Sequence, residues 1–235
     1  GYEAFFWPDW DEEPLRHLLV YRSSALDHGG APLRVERFAE DSLNIRFALQ
    51  RRPAADAVFS VDDDVILACA DLRRLVDAWA AAPANMAGVA PRLVARDART
   101  RRWRYLRSWH VWWTGRFSLV LTKAAVLHRD HFAAYRAPAL AAARARVDAG
   151  RNCEDLLMAC VVANATRAPP LWVSARYVDR GQALLGLGGH QGISAAAGHV
   201  AARGECLDAF AGPFGGLPLA TGAAKLSDAR AAWLW

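Results

Sequence analysis

The chain has 235 residues with a formal net charge of +5, which is enough for one large α/β domain or two small ones with a real core. A mean hydropathy of +0.02 and the lack of any apolar run near the roughly 20 residues that span a bilayer exclude a polytopic membrane protein. The basic balance favours anionic partners, whether nucleotides, acidic sugars, nucleic acid or membrane surfaces, without choosing among them.

The opening "GYEAFFWPDW" carries no signal peptide and reads as a truncated edge, so any anchor or targeting segment is expected outside this chain. Residues 17–24 and 32–38 read as short strands around the turn "DHGGAP". Residues 42–50 form a helical pattern stopped near Pro53. Residues 56–64 predict a buried strand, apolar on both faces. In 71–83, Leu72, Leu75, Val76 and Trp79 fall at i, i+3, i+4 and i+7, an amphipathic helix ended by Pro83. Residues 86–94 predict the next strand, and the alternation argues for a largely parallel α/β sheet.

From 96 to 116 the chain is basic and aromatic together. Residues 117–135 return to strand, then helix. Helices follow at 138–150 and 152–170, the second stopped by Pro169 and Pro170. Then come a strand at 171–178, a Gly-rich loop at 181–199, a helix and turn at 204–219, and a tail without clear pattern. No repeat or linker divides the chain. Cys69, Cys153, Cys160 and Cys206 form no CxxC pair, which argues against a zinc ribbon. A long-range bridge such as Cys153–Cys206 and four buried thiols both stay open.

Three clusters carry candidate chemistry. Asp62, Asp63 and Asp64 close the strand "FSVDDDVIL", and ligands of open α/β sheets bind beyond the carboxyl ends of strands. Alternate residues of an extended segment share a face, so Asp62 and Asp64 are expected to converge. Two hard oxygens there suit Mg²⁺ or Mn²⁺ with a phosphate-bearing substrate, although acidic triplets are also common in solvated turns. "NCED" (152–155) opens a helix; Asn152 and Asp155 read as a capping-box-like pair. A carboxylate at that position is also kept ionised. His199 and Arg203, four apart, share a helix face and suit either a departing diphosphate or an ordinary surface pair.

Taken in order, "SLNIRF", "FSVDDDV", "GVAPR", "FSLVLTKAAVLHRDHFAAY", "NCEDLLMACVVANATRAPPLWV" and "HVAARGECLDAFAGPFGGLPL" resemble the C-terminal catalytic domain of the exostosin family. These are the glycosyltransferases that build heparan sulfate, with their exostosin-like relatives. The resemblance covers roughly residues 18 to 219. It implies one GT-A domain over 1–235: a nucleotide-binding half (18–95), an acceptor and catalytic half (96–219) and a tail (220–235). It implies a retaining transferase that moves N-acetylhexosamine from UDP-GlcNAc or UDP-GalNAc to an oligosaccharide or proteoglycan-like acceptor. Mn²⁺, or Mg²⁺ in its place, is the implied cofactor.

By matching position, Asp64 is implied as metal ligand with Asp62. Asp62 and Asp63 are implied as ribose and donor-sugar contacts, and Arg46, Asn152 and His199 as further donor contacts. Asp155 is the implied catalytic carboxylate, with Glu154 beside it, and Arg203 meets the diphosphate. Cys153 and Cys206 correspond to a family disulfide. That implies the Golgi or endoplasmic reticulum lumen, with membrane contact only through segments outside this chain, and allows a homo- or hetero-oligomer. Retention needs a carboxylate nucleophile or same-face attack within an ion pair.

Within 96–116, Arg101, Arg102, Arg104 and Arg107 with Trp103, Trp109, Trp112 and Trp113 read either as an acceptor wall or as a hairpin with its tryptophans packed inward. Stacking on sugars and arginine–uronate pairs would serve the first. A degenerate domain that grips acidic glycans through this stretch is the rival function. No nucleic-acid partner is expected, since no RNA or DNA motif is recognisable.

The chain departs from its relatives in four places. "GYEAFFWPDWDEEP" replaces the first strand and helix that seat the uracil, so that strand is expected to be missing and affinity for UDP to suffer. Asp41 stands where an asparagine is usual. The 180–195 loop lacks paired cysteines. Asn164 heads a formal glycosylation sequon near a helix end.

Overall fold

A computed structural model of the chain describes residues 36, 38–179 and 198–228. The strand expected at 17–24, almost all of that at 32–38, and nearly all of the Gly-rich loop lie outside the described residues. So does the N-terminal segment on which the missing first strand turns.

Residues 42–50 wind only as a 3-10 helix, Leu43–Phe47. The buried side chains of Asn44, Ile45 and Phe47 point inward at once, and a tight i to i+3 turn accommodates this better than an amphipathic α-helix. Strand β1 (Ala57–Val61) leads through the three aspartates into β2 (Val65–Leu67) and helix α1 (Cys69–Ala80). The 71–83 pattern thus holds, with Leu75 and Trp79 on the buried face. Next come β3 (Ala87–Gly88), β4 (Pro91–Arg96), β5 (Trp103–Leu106), α2 (Ser108–Thr114), β6 (Leu119–Val120), β7 (Ala124–His128) and α3 (Asp130–Tyr135). A 3-10 turn at Pro138–Leu140 precedes α4 (Ala141–Gly150). Then follow α5 (Glu154–Thr166), β8 (Leu171–Val173), β9 (Tyr177–Asp179), α6 (His199–Ala211) and β10 (Lys225–Leu226).

The fold is mixed α/β, and the central sheet is mixed rather than mostly parallel. Among the described residues its order is β1-β7-β3-β8-β10. β7 runs antiparallel to both β1 and β3, while β3, β8 and β10 run parallel. Between β3 and β7 the chain leaves to build the separate β5-β4-β6 sheet, then returns reversed. Apolar periodicity marks strands without giving their direction, which is why alternation of elements suggested a parallel sheet.

Two expected strands each divide. Residues 86–94 become β3 and β4, and 171–178 become β8 and β9, with the two halves in different sheets. β1 is not buried on both faces: only Val58 is buried, and Val61 is 39% exposed. Gly88 in β3 is a close approach, since an added Cβ would sit 2.7 Å from Val120 Cγ2.

The main core gathers Phe47, Tyr135, Leu156, Leu157, Met158, Leu207 and Phe210. Helix α5 is buried along its whole length from Asp155 to Ala163, as expected of a helix apolar on all sides. A smaller cluster of Leu75, Trp79, Val126 and Val173 fastens α1 to the sheet. Helix α6 begins at His199, earlier than the sequence pattern suggested, and a disulfide joins its Cys206 to Cys153 at the head of α5. Cys69 is exposed and Cys160 buried, both free.

Candidate active site

The acidic triplet is a turn, not the end of an extended strand. Asp62 N–H donates to Lys123 O at 2.9 Å, and Val65 N–H returns to Asp62 O at 3.2 Å. The alternate-face expectation therefore fails: Asp62 and Asp64 go separate ways. Asp62 accepts from the guanidinium of Arg46. Asp64 has Asp179, Asp63 and Lys123 as its electrostatic neighbours. Asp63 is exposed. Asp179 stands opposite Val65 in the β2–β9 ribbon and is ion-paired with Lys123. Burial first, then Asp179 and Asp63, raise the Asp64 carboxyl above the usual aspartate range, against the pull of Lys123.

Arg46 owes its position to the 3-10 helix beneath it. The Nδ2 of Asn44 donates to Arg144 O at 3.0 Å and to Asp148 Oδ1 at 2.7 Å. Its Oδ1 accepts from the Tyr135 hydroxyl at 2.5 Å. Those bonds fasten the turn to α3 and α4, leaving the guanidinium to bridge Asp62 and, at 3.5 Å, Glu154 Oε1. One side chain thus connects the acidic turn to the head of α5.

Asn152 does not cap α5. The cap is Cys153, in the left-handed region at φ +81° with no side-chain capping bond. Asn152 is buried and its Oδ1 accepts from Arg203 Nη1 at 3.2 Å. Asp155 is buried too; its Oδ1 accepts from Leu156 N–H at 2.8 Å and its Oδ2 from Arg203 Nη2 at 2.5 Å. Arg203 is buried rather than a surface residue, and its guanidinium lies 4.5 Å over the ring of Tyr105. Residues 152–155 are therefore built around an arginine from α6 rather than around a capping box.

The electrostatics separate two adjacent carboxylates. Burial works to raise Asp155, but Arg203 and the Leu156 N–H outweigh it and hold the carboxyl below the usual range. Burial, then the charge of Asp155, pushes Glu154 up to about 7. Burial opposes the charge on Arg203, yet Asp155 and Tyr105 raise its pKa further. His199 at the start of α6 is lowered, by burial and then by Arg203, with Arg107 adding to the effect. Burial, then Glu154, raises Tyr135.

The structure brings Arg46, Asp62, Asn152, Glu154, Asp155 and Arg203 into one chain of contacts, with His199 nearby and Asp63 and Asp64 on the adjoining turn. Asn44, Tyr105, Lys123 and Asp179 belong to the same neighbourhood and were missed. Asn44 was readable as a polar residue inside the apolar "LNIRF"; the others carried no local signal. Asp41 is ion-paired with Arg151. Asn164 sits half-buried in the last turns of α5.

The basic-aromatic stretch forms the β4–β5 hairpin and α2. Its inward-packed alternative fails for three tryptophans: Trp109, Trp112 and Trp113 are 59%, 79% and 75% exposed. Trp103 alone packs against the core.

Residues 5–231 match the glycosyl transferase family 64 domain. Glycosylinositol phosphorylceramide mannosyl transferase 1 of Arabidopsis thaliana is 34% identical over 233 residues, covering 97% of the chain and 67% of that protein. Exostosin-2 of Homo sapiens is 32% identical over 191 residues, 80% of the chain and 25% of the relative. Exostosin-1b of Danio rerio is 30% identical over 177 residues, 75% and 23%. The chain thus spans about a quarter of the length of the exostosins it matches.

Proposed function

The chain belongs to the glycosyl transferase family 64, and from that we propose that it moves a sugar from a nucleoside diphosphate donor to a glycan-bearing acceptor with retention at the anomeric carbon. The observation that carries the site assignment is Arg46, which ties Asp62 on the acidic turn to Glu154 beside Asp155.

The residues present fit a divalent ion at the turn. Asp64 has Asp179 and Asp63 as like-charged neighbours and Lys123 as a cation, and burial with those charges raises its carboxyl. Among the described residues no group of three acidic, histidine or cysteine ligands is assembled, so an ion here would need waters and phosphate oxygens to complete its shell. Asp64 would hold Mn²⁺ or Mg²⁺, which would neutralise charge on the departing diphosphate, while Asp62 is turned to Arg46. Arg46, anchored between two carboxylates, orients the donor over the head of α5. Asn152 steadies Arg203, His199 feels the charges of Arg203 and Asp155, and the exposed Asp63 would meet the ribose or donor sugar.

Asp155 is the carboxylate that faces developing positive charge on the sugar. Both of its oxygens are engaged, one by Leu156 N–H and one by Arg203. Those two bonds keep the carboxylate ionised, the form that stabilises positive charge on the sugar. Glu154, poised near neutrality, can hold or release a proton at Oε1. Arg203, spent on Asp155 and Asn152, acts first by orienting that carboxylate and only from there on the diphosphate.

Two donor classes follow from the relatives. The exostosin resemblance points to UDP-GlcNAc or UDP-GalNAc. The mannosyl transferase relative, matched over 97% of the chain, favours a mannose donor and an inositol phosphorylceramide glycan as acceptor. The disulfide Cys153–Cys206 supports an oxidising lumen such as the Golgi or endoplasmic reticulum. No described helix is long and apolar enough to cross a membrane.

The test is nucleotide release from GDP-mannose, UDP-GlcNAc and UDP-GalNAc with and without Mn²⁺, for the wild type and Asp155→Asn. Metal-dependent release from one donor, lost in the variant, is expected. Equal release by both proteins would remove Asp155 from the mechanism.

A further inference from the structure

Helix α2 presents a face that lies outside the chain of contacts running from Asp62 through Arg46 to Arg203. Trp109, Trp112 and Trp113 fall at i, i+3 and i+4, hence on one side of the helix, at 59%, 79% and 75% exposure. Val111 on the opposite side is buried and pins the helix to the body. Helix α2 ends at Gly115 in the left-handed region, φ +65°, so the indoles stand on a short, firmly terminated projection rather than inside a cleft. Arg107 and Arg116, both exposed, bracket the helix. Arg101, ahead of β5, and Arg104, on it, extend the basic margin.

Indoles this exposed are costly in water unless they have a partner. Tryptophan settles at the boundary of headgroups and acyl chains, where its ring is buried and its N–H still finds a polar acceptor. Arginine beside it meets lipid phosphate. A sugar-stacking site would instead show an indole as the wall of a groove, with neighbouring polar groups to bond hydroxyls. Here the three rings project outward.

We infer that α2 is a contact with the lumenal membrane surface, its tryptophan stripe seated in the interfacial layer with Arg107 and Arg116 on lipid phosphates. The contact adjoins the candidate active site. Strand β5 runs directly into α2 and carries Tyr105, which lies under Arg203, and the charge of Arg107 reaches His199. A chain docked through α2 would hold the head of α5 close to the plane of the headgroups, where a lipid-borne acceptor displays its glycan. That last step rests on the transferase reading; the contact itself does not.

The experiment is co-sedimentation of the full chain with vesicles of phosphatidylcholine alone and of phosphatidylcholine containing about 30% phosphatidylserine. The wild type is expected to bind the anionic vesicles with a blue shift of tryptophan emission. Trp112→Ala/Trp113→Ala is expected to bind about tenfold more weakly with no blue shift, and Arg116→Ala to lose affinity only at low salt. Because these residues are exposed and lie outside the contacts from Asp62 to Arg203, nucleotide release without acceptor and far-ultraviolet circular dichroism of the variants should match the wild type. Vesicle binding without nucleotide release would therefore spare the contact and sink the transferase. The contact is overturned if the wild type ignores both vesicles or if the double variant binds them equally. It is also overturned if soluble heparin, rather than lipid, is what the tryptophan variant fails to bind.

Discussion

Cys153 and Cys206 are bonded across 53 positions of sequence, and the bond joins the cap of α5 to a residue three places beyond Arg203 on α6. The two helices are thus fixed at the point where Arg203 reaches Asp155. Serine at both positions, or reduction, should lower stability by about 2–4 kcal/mol. Nucleotide release should fall at reductant concentrations that leave the far-ultraviolet circular dichroism unchanged. Activity that persists until the chain unfolds would show that the bond only stabilises.

Arg203→Ala leaves Asp155 charged and buried without its partner. Losing one member of such a pair costs about 3–5 kcal/mol. Arg203→Lys retains charge but cannot serve Asp155 and Asn152 together through a planar fork. Thermal unfolding should rank wild type above the lysine variant and that above the alanine variant, and nucleotide release should fall at least about 100-fold in both.

The two carboxylates at the head of α5 should mark the pH profile in opposite directions. Glu154 is raised from 4.5 to about 7, so the folded chain holds its proton longer than the unfolded chain. Stability from this group is present below its unfolded value and declines as pH rises toward 7. Asp155 is lowered from 3.8; its contribution is present above that value and is lost as pH falls through the folded one. Glu154→Gln should flatten the decline between about pH 4.5 and 7 in denaturant titrations. It should also remove a titration near 7 from the rate profile. An unchanged slope would mean that Glu154 ionises normally.

Lys123 is ion-paired with Asp179 and is the cation beside Asp64, where the proposed divalent ion would compete with it. Lys123→Met removes the Lys123–Asp179 ion pair and the cation beside Asp64, so the variant should be less stable without metal and regain stability as Mn²⁺ is added. Its calorimetric affinity for Mn²⁺ should exceed that of the wild type, whereas Asp64→Asn should abolish the metal response. A Lys123 variant that Mn²⁺ does not rescue would place the ion elsewhere.

Much of the site was legible because its residues come in short, unusual runs. The acidic triplet, "NCED" and the His199–Arg203 spacing each drew attention to residues that the fold brings together. What failed was orientation. Asp62 and Asp64 were expected to point the same way because the strand was read through to 64, but it ends at Val61 and the aspartates turn. Asn152 was read as a cap because helix starts usually carry one, but the disulfide-bonded Cys153 holds that position. Arg203 stayed open between a surface pair and a diphosphate contact because a four-residue spacing reports which residues share a face and not what covers that face. Strand direction was lost for the same reason: an apolar run such as 86–94 contains nothing that shows where one sheet is left for another.

Helix α5 is enclosed by protein from Asp155 to Ala163. A rod gripped on every side can neither roll nor slide to suit a different sugar. Donor preference should therefore change through what surrounds its tip, above all the short turn that carries Arg46, and directed variation aimed at altered donors belongs at residues 42–48 rather than along the rod itself.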